Sequence, residues 1–160
     1  MTTMTTMTIQ PKIFTQFPQL AAGQSTRHGG VSQAPFHSLN LGKSTTDDSS
    51  NVAENRRRFC AELGFQPEQM TWSKQIHGDQ IAQVIKPGGH EGFDALVTNV
   101  PGILLAVSVA DCTPILVYDG RNQAVAAIHA GWRGTVSGIV ASTMIFMEKA
   151  FGTKGEDCFA

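Results

Sequence analysis

Apolar and polar positions alternate between two regimes along this chain. Lys12 to Phe17 and Leu20 to Ala22 predict a short extended unit, and the turn-rich stretch GQSTRHGGVSQAPFHSLNLGKSTTDDSS follows. A loop of that length is uncommon in a compact domain unless it has a function. Gly29-Gly30 marks backbone that a side chain would obstruct. Asp47 or Asp48 can then cap a helix running to Leu63 with Gly64 as its stop. Val52, Phe59, Cys60 and Leu63 fall on one helical stripe, so Cys60 reads as a core residue and Arg56 to Arg58 as a solvated face. Met70 to Lys74 and Gln80 to Lys86 predict strands meeting at a QIHGD tip, with Lys86 to His90 a turn. Ala95 to Thr98 and Ile103 to Val109 add further strand. From Gly134 to about Phe151 a helix is expected, with Val136, Ile139, Val140, Thr143 and Met147 inward and Gly152 as its stop. A strand-rich middle bracketed by helices predicts the α/β class, with mixed α+β layers.

Two apolar, β-branched-rich runs, Ile115 to Asp119 and Asn122 to His129, flank Gly120-Arg121. They predict a hairpin with a two-residue turn. If Asp119 faces Asn122, the ladder sets Cys112 opposite His129, with Cβ atoms about 4.5–5.5 Å apart. A loop changed by one residue would send the two to opposite faces. Pro114 cannot donate to a ladder, so it predicts a bulge or an edge beside Cys112.

Composition narrows the function. The 160 residues suffice for one domain with a sizeable core. Charged residues are 16% of the chain and the net charge is -1, which leaves no basic field for nucleic acid or an anionic membrane. The longest apolar run, Ile103 to Ala110, is too short to span a bilayer. Three cysteines without framework spacing argue against a disulfide scaffold and for a cytoplasmic setting. Residues 1–10, MTTMTTMTIQ, lack the regions of a secretory signal and are expected to be disordered. Residues 11–160 are expected to form a single domain. Small-molecule chemistry is the reading that remains.

Cys112, His129 and His77 offer one thiolate and two imidazoles, a ligand set that leaves a divalent metal one open position. The residues alone leave open a buried cysteine near a core histidine with His77 exposed. His28, His37 and His90 are further candidate ligands. A metal-free alternative has His129 deprotonate Cys112 as in Cys-His hydrolases, with Asp111 or Asp94 as the orienting acid. Arg27 and Arg133 adjoin glycines, and Arg133 precedes the expected helix, so either suits an anion or a structural salt bridge. Trp132 reads as a buried aromatic in preference to a stacking platform. There is no dinucleotide fingerprint, phosphate-binding lysine loop or nucleophile elbow.

The blocks TRHGGVSQAPFHSLNLG, ENRRRF, QIHGDQI, DALVTNVPGILLAVSVADCTPILVYD and AAIHAGWRGT, in this order from about Phe14 to Phe151, closely resemble the YfiH-like family. Its members have been called laccase-domain or polyphenol oxidase proteins and are now described as purine nucleoside phosphorylases. The resemblance implies a layered sheet core flanked by helices, and zinc held by His77, Cys112 and His129. It also implies phosphorolysis of adenosine, inosine, guanosine and methylthioadenosine, together with adenosine deamination, in which zinc activates the water attacking C6. Arg27 and Arg133 are then the candidates for phosphate, and purine nucleosides and phosphate the expected partners. The fold is shared with some cysteine-dependent deamidases, which keeps a Cys-His hydrolase or amidase as the second reading. Five histidines cannot build a four-copper centre in one chain, although a copper-dependent polyphenol oxidase with a single ion at the His₂Cys set remains an alternative. Family members continue beyond GTKGEDCFA, so this chain is expected to lack the C-terminal third. An inactive zinc-binding fragment is the corresponding third reading.

Overall fold

The computed structural model describes residues 6–160. The chain clusters into two compact units, one ending at Pro67 and one spanning Glu68–Ala160. Residues 1–5 of the tract expected to be disordered lie outside the described residues. Just beyond them, Thr8–Ile9 form strand β1, which pairs antiparallel with β2, Gln24–Ser25. The expected extended segment at Lys12 is instead a 3-10 turn over Lys12–Phe14. Pro11 enters it with φ -63, and Thr15 closes it through backbone and hydroxyl bonds to Lys12 O.

Helix α1, Ser49–Glu62, dominates the first unit. Asp48 caps it by accepting Ser50 N–H at 2.8 Å, and Gly64 follows its end at φ 79. Asn55, fully buried on this helix, ties down the long loop. Its Oδ1 accepts Val31 N–H at 2.8 Å, and its Nδ2 donates to Ser32 Oγ at 2.8 Å, Ser38 O at 3.2 Å and Asn40 O at 3.0 Å. Gly30 fits the turn because a Cβ there would collide with Ser38 O.

The second unit contains two sheets. Strands β3 (Met70–Lys74), β5 (Gly88–Glu91) and β7 (Leu104–Ala106) form a parallel sheet in the order β5-β3-β7. The expected turn at Lys86 to His90 is thus largely strand. The larger sheet has the order β10-β8-β9-β6-β4, from β4 (Ile81–Gln83), β6 (Ala95–Thr98), β8 (Thr113–Asp119), β9 (Ala124–Ala130) and β10 (Cys158–Phe159). The strands on either side of QIHGD therefore belong to different sheets, and His77 lies on the passage between them. Strand β6 is buried throughout, and β4 alone pairs parallel to it. Ala95, Val97, Ala126, Ile128, Ile139 and Met147 form the main core, and Ala82, Val84, Leu96 and Ile103 form a second cluster.

The expected helix from Gly134 divides in two. Helix α2, Trp132–Val136, ends before Gly138 at φ 78, and α3, Ile139–Phe151, continues to Gly152 at φ 74. Ile139, Thr143 and Met147 point inward as expected, but the break leaves Val136 81% exposed and Val140 on the surface. Among the described residues no helix is long and apolar enough to cross a membrane.

Candidate metal centre

The β8–β9 hairpin brings the cysteine and one histidine together by a route other than the two-residue turn. Its loop is Gly120–Gln123, and Asp119 pairs with Ala124. Asp119 Oδ1 accepts the N–H groups of Arg121 and Asn122, each at 2.9 Å, and Oδ2 accepts Asn122 Nδ2–H at 2.8 Å. This side-chain turn, with Gln123 at φ 51, absorbs two more residues than expected. Pro114 therefore stands opposite His129, and Cys112 lies just before the strand. A change of two residues preserves the side of the pleat, so Cys112 still shares a face with His129, now diagonally. Strand β10 pairs only with Tyr118 and Asp119, so β8 is an edge at Pro114, where a missing N–H is tolerated.

His77 joins them from the passage between the sheets. It adopts the left-handed region at φ 61, uncommon for a non-glycine residue. One ligand atom from each of His77, Cys112 and His129 lies within 4.8 Å of the others. The imidazoles meet edge to face, with centroids 4.7 Å apart and an interplanar angle of 85°. His129 is buried, Cys112 half-buried and His77 exposed, so the cluster opens on the His77 side.

Gly131 lies at the centre of this arrangement. A Cβ there would lie 3.1 Å from His77 Cδ2, 3.3 Å from Cys112 Sγ and 3.5 Å from His129 Cε1. Gly134 allows α2 to close on the same loop, since its Cβ would lie 2.6 Å from Gly78 O. Two imidazoles and a thiolate suit a borderline-soft divalent ion.

Asp94 supports the cluster from behind. It is fully buried, and its Oδ1 lies 2.7 Å from His129 Nδ1. Burial pushes its carboxyl upward, but hydrogen bonds from His129 and from the N–H groups of Gly78, Ile76 and His77 outweigh this and hold it below the ordinary carboxylate range. Of the two acids considered in sequence for orienting His129, Asp94 is in contact with it. Asp111 instead lies 3.8 Å from Cys112 Sγ. The sequence signal for Asp94 is its place immediately before β6, whose Ala95 pairs with Ile128, the neighbour of His129.

The other candidates lie elsewhere. His90 sits on β5 against Phe93, with ring centroids 6.2 Å apart. Arg27, His28 and His37 belong to the first unit, where Arg27 donates to His37 O at 3.2 Å. Arg133 is exposed within the first turn of α2, not ahead of the helix, and its guanidinium carbon lies 5.3 Å from the Trp132 ring centroid. Trp132 is 72% exposed, contrary to the buried position expected, and Ile76 beside His77 is also exposed.

The family model described as multi-copper polyphenol oxidoreductase laccase matches residues 21–160. The purine nucleoside phosphorylase of Bacteroides thetaiotaomicron is 40% identical over 146 residues, which is 85% of this chain and 54% of that protein. The one from Deinococcus radiodurans is 46% identical over 129 residues, 79% of this chain and 50% of that protein. Among solved structures, the hypothetical protein YfiH of Bacillus licheniformis aligns with a TM-score of 0.82 at 33% identity, covering 86% of this chain and 55% of the other. YlmD from Geobacillus stearothermophilus gives 0.83 at 35% identity, covering 89% and 57%. The chain spans about half the length of the curated relatives it matches.

Proposed function

The chain belongs to the YfiH-like family, whose model carries the laccase description, and we propose that it holds the zinc centre of a purine nucleoside phosphorylase. The carrying observation is the convergence of His77, Cys112 and His129 within 4.8 Å. His77, Cys112 and His129 would hold the zinc, which would supply Lewis-acid stabilisation to the reacting group. In phosphorolysis the bond from ribose C1′ to the purine nitrogen breaks, C1′ bonds to a phosphate oxygen, and the departing purine takes up a proton. Arg133, exposed on α2, is proposed as a phosphate ligand, and Arg27, within the first unit, is a separate candidate for phosphate. Trp132, exposed immediately after Gly131, offers a flat apolar face to the purine. Adenosine deamination, in which water adds at C6 and ammonia leaves, is proposed for the same centre. None of Cys60, Cys112 and Cys158 forms a disulfide, and a cytoplasmic location is part of the proposal.

The test pairs elemental analysis with phosphate-dependent release of hypoxanthine from inosine, on the chain and on His77→Ala. The expected results are one zinc per chain, turnover that requires phosphate, and loss of both in the variant. A metal-free protein whose His77→Ala variant keeps full activity would sink the proposal. Elemental analysis also separates zinc from copper, which the same donors accept.

One observation favours a second reading. The acid–histidine pair of Asp94 and His129, with Cys112 on the same face, resembles the dyad of a cysteine hydrolase. That reading predicts a covalent adduct at Cys112 and indifference to chelators.

A further inference from the structure

One buried carboxylate holds two of the three candidate ligands. Asp94 Oδ1 accepts His77 N–H at 2.9 Å and meets His129 Nδ1 at 2.7 Å. Its Oδ2 accepts Gly78 N–H at 2.9 Å and Ile76 N–H at 3.2 Å. The main chain of Asp94 is fixed independently. Its N–H donates to Gln80 O at 3.0 Å, and its carbonyl accepts His129 N–H at 2.7 Å. The main chain that carries the carboxylate is therefore held from both sides, by Gln80 and by β9.

We propose that Asp94 is a positioning residue that assembles His77 and His129 before any metal arrives and commits His129 to bind through Nε2. The proposal rests on reading the triad as a metal site. The Asp94 carboxylate already accepts three main-chain N–H bonds, so it meets His129 as an acceptor, with the ring N–H at Nδ1. The lone pair left to the imidazole is on Nε2. The same carboxylate gathers three successive N–H groups, and these hold His77 in its left-handed conformation. A carboxylate behind a ligating imidazole also makes it a stronger donor.

Asp94→Asn separates these roles from simple space-filling. The amide is nearly isosteric and keeps one acceptor, but it turns an NH₂ group toward either the histidine side or the Ile76 and Gly78 amides, and it removes the charge. We expect zinc affinity, measured by competition with a chromophoric chelator, to fall about ten- to a hundredfold. In the metal-free wild type the amides of residues 76–78 should resist hydrogen exchange, and Asp94→Asn should release them while β9 stays protected. A third measurement needs no variant and so stands even if Asp94→Asn fails to fold. Long-range ¹H–¹⁵N correlation on the zinc-loaded wild type should show His129 protonated at Nδ1 and metallated at Nε2. Metal on Nδ1, or an Asp94→Asn protein whose zinc affinity stays within twofold of wild type, would overturn the inference alone. A wild-type chain that takes up no zinc would overturn the metal reading beneath it.

Discussion

A methyl group on Gly131 would lie 3.3 Å from the sulfur of Cys112. It would also press on His77 at 3.1 Å and touch His129 at an ordinary contact distance of 3.5 Å, so this position borders all three side chains. The backbone of Gly131 is ordinary, with φ -73 and ψ 165, and an alanine there incurs no conformational strain. Gly131→Ala is therefore expected to weaken metal binding by about tenfold or more through ligand displacement. Its apo-protein unfolding midpoint should move little. Chelator competition and thermal melts of the metal-free variant check the two halves.

Trp132 tests the proposed contact with the purine. It is 72% exposed, so Trp132→Ala should alter stability by no more than about 0.5 kcal/mol. Base–aromatic stacking contributes about 1–3 kcal/mol, which corresponds to an expected rise in KM for inosine of roughly five- to 150-fold. Zinc affinity should be unchanged. Steady-state kinetics with calorimetry of the zinc-loaded variant distinguish lost stacking from a damaged metal centre.

Asn55 governs the first unit. Its side chain reaches Val31, Ser32, Ser38 and Asn40 from a fully buried position. Asn55→Ala leaves several of these groups without a partner and is expected to cost about 2–3 kcal/mol. Asn55→Asp retains the acceptor for Val31 but turns an acceptor toward two carbonyls, so it should not rescue the loss. Urea unfolding of both variants measures this.

Asp119 gives the hairpin a pH dependence. Burial pushes its carboxyl upward, but hydrogen bonds from the Asn122 N–H and side chain and from Arg121 N–H prevail and hold it below the ordinary range. A lowered folded value means the stabilisation is complete above the unfolded value of about 3.9 and is lost as pH falls through the folded one. Asp119→Ala should cost about 1–3 kcal/mol at pH 7. The gap between wild type and variant should narrow below about pH 4. Unfolding midpoints at pH 7 and at pH 3 test the sign.

Much of this was legible in local pattern. The α1 boundaries follow from Asp48 and Gly64, and the inward set of α3 from the spacing of Ile139, Thr143 and Met147. The hairpin was legible in kind but not in register. Asp119 can bond to backbone several residues on, and whether it does depends on the loop conformation and not on its identity. The pairing of Cys112 with the face of His129 survived because a strand has a period of two, and the loop differed by two. The break at Gly138 was missed because apolar spacing continues across it through Val136 and Val140, and both turn out to face solvent.

By itself, the sequence determined the donor types, the face shared by Cys112 and His129, and the motifs of a known family. Only the tertiary structure decided how His77 meets them and what holds it there. Periodicity assigns a side chain to one face of its own element, but the passage between β3 and β4 has no period to read. Its course is set by three amides converging on Asp94, a carboxylate placed immediately before β6 of the larger sheet.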